Sequence, residues 1–309
     1  MKVLVTGADS QLALTIKDHI DYYKEIKNEY IFCNHKELDI TNKESIKAAI
    51  EKYKPEIIIN CAAYTNVEKA EDEFQKAIDV NCIGVENLVK ACKENNIFLI
   101  HISTDYVYKS QNEGFISEYV PIALINESSE LDPLSKYALS KYLGEKMCIK
   151  HNGVMIIRTS WLYSMYGKNF VKTIINKIKN NEEIKVVDDQ YGRPTNADDL
   201  ADFIIFAIIE NHNYDLEKEC EIFNFQNYGK CCSWYDFACA IYDFYTNKYA
   251  MPYSKHDCEG IIKRIKTSEL NCKAERPYCT YMCTNKAIHI FNIPTWEMSL
   301  RYFIARMSK

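Results

Sequence analysis

The chain has 309 residues, 47% of them hydrophobic, with a net charge of −5 and a pI near 5.9, which suits one large α/β unit or a core domain with a smaller partner. No basic run offers an electrostatic footprint for nucleic acid, and no stretch of about 20 apolar residues could span a bilayer. The opening residues are apolar too briefly for a signal peptide, so a soluble, cytoplasmic protein with neither a nucleic-acid nor a membrane partner is expected.

Residues 2–6 form a short apolar run closed by Gly7 and followed by a helix-compatible stretch at 11–23. This is the strand, turn and helix order of a nucleotide-binding βαβ unit, in which free N–H groups at the helix start face a pyrophosphate. The loop from Gly7 to Ala13 has the spacing of a Gly-x-x-Gly-x-x-Gly fingerprint, with Ser10 and Ala13 in two of the glycine places. A second strand is expected at 30–33, then a helix capped near Thr41 or Asn42. The carboxylate that would hold a ribose 2′-hydroxyl at this strand end is replaced by Asn34 and His35 beside Lys36. A 2′-phosphate would not be repelled there, which favours NADPH over NADH.

Residues 57–61 read as a strand buried on both faces of a parallel sheet. It runs into Ala62, Ala63, Tyr64 and Thr65, small enough at first for a flat cofactor to approach the backbone. One long helix is expected over 73–95, with Asn81 a polar residue on it. The strand at 98–102 ends in Ser103, Thr104 and Asp105, at the sheet edge where open α/β folds bind ligands.

The next helix opens with Tyr137 and Lys141, four residues apart and so on one face. A cation beside a phenol favours the phenolate and moves it toward acid/base work near neutral pH. The same Tyr/Lys spacing occurs at Tyr23/Lys27, Tyr142/Lys146 and Tyr214/Lys218. Position after the 98–105 strand end singles out Tyr137. A strand at 154–159 follows; beyond it come helices at 198–209 and 233–245, a strand at 222–225 and a last helix at 295–306. The thirteen cysteines, odd in number and without a C-x-x-C pair, read as reduced thiols packed as small hydrophobes, with zinc at Cys272, Cys279 and Cys283 as the alternative.

With these pieces placed, the chain resembles the extended short-chain dehydrogenase/reductase family, and within it the branch that reduces dTDP-4-dehydro-L-rhamnose. The resemblance rests on residues 60–71, 101–108, 158–163, 186–195 and 232–238 and on Arg276-Pro277. It implies a Rossmann-type doubly wound parallel sheet in residues 1–160, with a smaller C-terminal α/β substrate lobe in 161–309 and crossings of the chain between the lobes. The implied reaction is NAD(P)H-dependent reduction of the C4 ketone to give dTDP-L-rhamnose. Tyr137 would protonate the C4 alkoxide, Lys141 would hold the nicotinamide ribose, and Thr104 would hydrogen-bond the sugar oxygen.

The cofactor set would be Gly7, Ser10, Gln11, Leu12, Asp39, Ile40, Cys61, Ala62, Ala63, Tyr64, Asn81, Ser103, Tyr137 and Lys141. The dTDP-sugar would meet Thr65, Val67, Thr104, Asp105 and Trp161, with Arg193 on the diphosphate. No metal ligand set is read and nothing in the sequence calls for Mg²⁺; a homodimer is left open. Three features depart from the family pattern: the altered glycine loop, Ala138 after Tyr137 where glycine is common, and a longer loop at 109–136. Two other readings are a non-catalytic regulatory subunit on the same fold and a nucleotide-sugar dehydratase or epimerase. Elimination would need a second carboxylate after Asp105, where Tyr106 stands.

Overall fold

The computed structural model describes residues 1–23, 27–111, 116–117, 120–121, 124–246, 258 and 260–307. The apolar runs of the N-terminal half become strands because their side chains are buried on both faces: Val3, Leu4, Val5, Ile57, Ile58 and Ile59 are all fully enclosed. Each such aliphatic side chain contributes roughly 1.5–3 kcal/mol on leaving water. The strands are β1 (Lys2–Thr6), β2 (Glu29–Cys33), β3 (Ile57–Asn60), β4 (Phe98–Thr104), β5 (Val154–Thr159) and β6 (Glu221–Phe225). They form one sheet in the order β6-β5-β4-β3-β1-β2, with every pair parallel. The long loop at 109–136 lies partly outside the described residues.

Helices cover both faces. On one side α1 (Gln11–Tyr22) and α8 (Ala197–Asp202) enclose Ile16, Leu200 and Ile204; on the other, α2 (Lys43–Tyr53) and α5 (Val85–Asn95) enclose Ile46, Leu88 and Val89. The strand of residues 221–225 thus joins the sheet of the N-terminal half, and α8 packs against α1. A second core lies around α7 (Phe170–Lys179), α9 (Trp234–Thr246) and α10 (Trp296–Met307), where Ile174, Phe237, Leu300 and Phe303 meet. No helix among the described residues is long and apolar enough to cross a membrane.

Two expected helices are not continuous. The stretch at 73–95 is broken by a wide π turn at Asp79–Gly84, between a short helix at Phe74–Ile78 and α5. Such turns free backbone groups and re-aim side chains, and here Asn81 is turned inward. The helix at 198–209 likewise passes into π geometry at Phe203–Glu210. The expectation of reduced thiols fails at one pair, since Cys239 and Cys258 form a disulfide. The separation of 19 residues hid it from any spacing rule, and only the fold brings the two together.

Candidate active site

The site forms where β1, β3 and β4 end and α6 (Lys136–Cys148) begins. Ser135 caps α6, its hydroxyl accepting from the Ala138 N–H at 3.2 Å, and this fixes the first turn that carries Tyr137. The helix then runs close under the sheet edge. Lys141 is buried at 2% exposure, and its Nζ donates to the Ile102 carbonyl at 2.7 Å. Thr104 closes β4 and hydrogen-bonds the Tyr137 phenol. Thr104 and Tyr137 therefore come together at the end of β4, with Lys141 one turn further along α6 and bonded to Ile102 of the same strand.

Electrostatics there differ from the simple expectation that Lys141 biases Tyr137 toward phenolate. Burial pushes the Tyr137 phenol up to about 12, partly offset by the Thr104 hydrogen bond. Burial also lowers Lys141 to about 8, against the raising influence of Glu145, Cys148 and Cys61. Lys141 spends a hydrogen bond on a backbone carbonyl, and Tyr137 is held as a proton donor. A neutral phenol is the form that can protonate an alkoxide.

Asp105 is buried beside Thr104. Its carboxylate accepts from the Thr104 hydroxyl at 3.1 Å and from the Thr280 hydroxyl at 2.5 Å. Burial raises it to about 7 despite these bonds. Tyr106 packs edge-on to Tyr137 with ring centroids 6.0 Å apart. Sequence reasoning missed Thr280 and the Tyr106 contact. Thr280 lies 175 residues from Asp105, and no local pattern links them.

Several of the residues expected to hold the cofactor stand at the ends of β1, β3 and β4. Gly7 has φ +62°, and a Cβ there would stand 2.7 Å from the Ala62 N, so the crossing of β1 over the Ala62 backbone tolerates only glycine. Ser10 caps α1 by accepting from the Ala13 N–H, leaving the Gln11 and Leu12 N–H groups at the helix start. The Gln11 side chain reaches the smaller lobe, where its Oε1 accepts from Ser164 at 3.1 Å and Asn169 at 3.0 Å. Asn81 bonds both the N–H and the carbonyl of Tyr64, at 2.8 and 2.9 Å, and donates to Ser140 on α6 at 2.9 Å. It thus ties the Cys61-Ala62-Ala63-Tyr64 wall to the catalytic helix. The Ser103 hydroxyl is buried with no partner among the described residues, as a group reserved for a ligand would be.

Asp39 turns its carboxylate onto Thr41 at 2.9 Å, and Ile40 is buried against Gly84. Beyond β2, Asn34 accepts from the Lys36 N–H at 3.0 Å, and Glu37 folds back to accept the Asn34 N–H at 2.9 Å. A carboxylate therefore does stand near this strand end, supplied three residues later than expected. These features fit a dinucleotide: a helix start open to phosphate, a glycine crossing, an unpartnered hydroxyl and a buried lysine.

On the substrate side Thr65 is exposed and Val67 partly so, at the start of a short helix, Val67–Ala70. Trp161 sits at φ +46° and stacks on Trp234 at 3.7 Å, with Gly192 giving it room. Arg193 departs from its expected role on a diphosphate. It is 2% exposed, donates to Gln226, Gly229 and Met282, and lies 4.4 Å over the Tyr281 ring. Its guanidinium joins segments of the smaller lobe. A recess of about 840 Å³ elsewhere on the surface, lined by Tyr22, Asp198, Met298, Tyr302 and Arg306, holds none of the predicted site residues.

Comparison with known proteins agrees with this arrangement. A family model described as the RmlD substrate binding domain matches residues 1–309. The dTDP-4-dehydrorhamnose reductase of Aggregatibacter actinomycetemcomitans is 34% identical over 303 residues, 97% of each chain. A crystal structure of a dTDP-4-dehydrorhamnose reductase from Clostridium acetobutylicum superposes with a TM-score of 0.84 at 32% identity, covering 100% of both chains. One from Bacillus anthracis, solved in complex with NADP, gives 0.83 at 32% identity over 99% of both chains. With the whole length matched and the Thr104, Tyr137 and Lys141 cluster intact, the chain belongs to the dTDP-4-dehydrorhamnose reductase family.

Proposed function

We propose that the chain catalyses the NAD(P)H-dependent reduction of the C4 ketone of dTDP-4-dehydro-L-rhamnose to dTDP-L-rhamnose. The observation that carries this reading is Tyr137 beside Thr104 at the carboxyl end of β4, with buried Lys141 one helical turn on and bonded to Ile102 of that strand. When bound, the dihydronicotinamide supplies the hydride. Tyr137, held neutral by burial, gives its proton to the C4 oxygen. Thr104, whose hydroxyl donates to Asp105 in the free protein, would turn that proton to the same oxygen, and such donors act most strongly on charge that develops in the transition state. Lys141 would hold the nicotinamide ribose and, one turn from Tyr137 on α6, compensate the phenolate once the proton has left.

The Gly7 crossing and the N–H groups of Gln11 and Leu12 receive the pyrophosphate, with Ser10 as their cap. Asp39, Ile40, Cys61, Ala62, Ala63, Tyr64, Asn81 and Ser103 complete the cofactor wall. Asp105, Thr65, Val67 and Trp161 face the sugar nucleotide. The smaller lobe, mainly residues 161–309, closes the substrate side. The chain works in the cytoplasm as a homodimer. Eleven of the thirteen cysteines lie outside the one disulfide, a proportion that suits a reducing compartment. The exposed Tyr22, Met298 and Tyr302 beside the surface recess offer an apolar patch for a second copy.

The test is NADPH oxidation by the purified protein with dTDP-4-dehydro-L-rhamnose, beside a Tyr137→Phe variant. Turnover is expected in the native protein, with a loss of about 10²–10⁴-fold in the variant. An inert native protein would overturn the reaction, and a fully active variant would overturn the role of Tyr137. Elution at monomer mass from a sizing column at micromolar concentration would overturn the dimer.

A further inference from the structure

One charged pair, Glu145 and Arg158, is absorbed by neither the cofactor nor the substrate. Tyr137, Lys141 and Glu145 follow one another at four-residue intervals, so they share a face of α6. Glu145 is fully buried, and Arg158 of β5 meets it with a forked pair of bonds: Nε lies 3.0 and 3.2 Å from the two carboxylate oxygens and Nη2 lies 2.6 Å from Oε2. The remaining face of Arg158 is also occupied. Its Nη1 donates to the Tyr108 hydroxyl at 2.7 Å, which donates in turn to Asn224 Oδ1 at 2.7 Å.

Stability alone is a poor reason for this arrangement. A buried ion pair is often no better than apolar side chains of the same volume, because desolvation cancels the attraction. The position of Glu145 along the helix is what gives the pair a use. The groups facing Lys141 are Glu145 and Cys148 from its own helix, Cys61 at the end of β3 and His101 on β4. His101 is itself buried with its Nε2 unpartnered among the described residues, so it supplies no negative charge. Glu145 is the only carboxylate among these groups.

We propose that Glu145 is a positioning residue for the reduction: paired to Arg158, it anchors α6 to β5 and supplies the negative charge that keeps Lys141 protonated one helical turn from Tyr137. The proposal rests on the reading that Lys141 holds the nicotinamide ribose and compensates the Tyr137 phenolate. A cation placed under the active site would otherwise shed its proton in a dry setting.

The experiment compares the native enzyme with Glu145→Gln/Arg158→Met, which removes both charges together, and with Glu145→Asp, which keeps the charge but withdraws it by one methylene. NADPH affinity and kcat are followed from pH 6 to 10, with thermal melts alongside. In the double variant the alkaline loss of both quantities moves down by about one pH unit, a tenfold loss near the native midpoint. In Glu145→Asp it moves the same way by less. A lowered melting temperature with an unmoved alkaline limb in Glu145→Asp overturns the proposal, whether or not the double variant folds. Lys141→Met separates the two layers of argument. If it keeps native NADPH affinity and the native alkaline limb, the reading of Lys141 fails, and the shift expected in the Glu145 variants fails with it. If it loses both while the Glu145 variants show no shift, only the proposal about Glu145 fails.

Discussion

Gly144 lies on α6 between Lys141 and Cys148, where the helix crosses the π turn that carries Asn81. A Cβ at this position would stand 2.0 Å from the Asn81 carbonyl oxygen and 3.6 Å from Val85. The neighbour is backbone, so it cannot rotate away. A carbon and an oxygen need a separation of more than 3 Å, so Gly144→Ala must push α6 from the π turn by roughly 1 Å. Helix propensity alone predicts the opposite sign, because alanine in a helix interior is favoured over glycine by about 1 kcal/mol. The overlap dominates, since forcing a methyl group into a packed contact costs about 1–3 kcal/mol.

Its effect on rate is larger than its effect on stability. Tyr137 and Lys141 ride on the displaced helix, and Asn81 holds both Tyr64 and Ser140. A displacement of about 1 Å in reacting groups costs about 10²-fold in rate. Gly144→Ala is therefore expected to lower kcat about a hundredfold and the melting temperature by several degrees. Steady-state NADPH oxidation and thermal unfolding of the two proteins provide the assay. A variant as stable as the native protein or more so, with native kcat, would show that α6 and the π turn are not in the contact described and would refute the reasoning.

Two other outcomes follow from groups away from the chemistry. Burial disfavours charge on His19, but hydrogen bonds and charge from Asp198 and Asp202 outweigh it and raise the folded-state pKa from 6.5 to about 9. The histidine therefore contributes stability that is fully present below about pH 6.5 and lost as pH rises toward 9. His19→Gln should remove that fall from a plot of melting temperature against pH, and an unchanged slope would refute the assignment. Lys36 lies in the turn held by Asn34 at the end of β2, where the sequence leads one to expect a 2′-phosphate. Lys36→Ala should raise KM for NADPH several-fold and leave KM for NADH nearly unchanged; equal effects on both would exclude Lys36 from cofactor choice.

The strands at the sheet centre, the cap at Asn42 that starts α2, and the placing of Tyr137 at a helix start after the end of β4 were all readable from the chain. These features depend on local patterns: unbroken Val/Ile/Leu runs, polar caps, and the order in which a strand end and a helix start follow one another. The same local reading extended to the two hydroxyls and one carboxylate of residues 103–105. It stopped where partners are set by packing between distant segments. A guanidinium at Arg193 looks equally suited to a phosphate or to backbone carbonyls until Gln226, Gly229 and Met282 are seen around it. The π turn at Asn81 depends on how closely Gly144 approaches, and the disulfide at Cys239 depends on where Cys258 returns. Lys141 was expected to act on Tyr137 by charge alone. Burial, which sequence spacing does not encode, instead raises the phenol and lowers the lysine. Sequence by itself determined which groups stand at the sheet edge, because strand and helix order is local. Tertiary structure alone decided their protonation and their partners, because desolvation and long-range contacts exist only once the chain has closed around them.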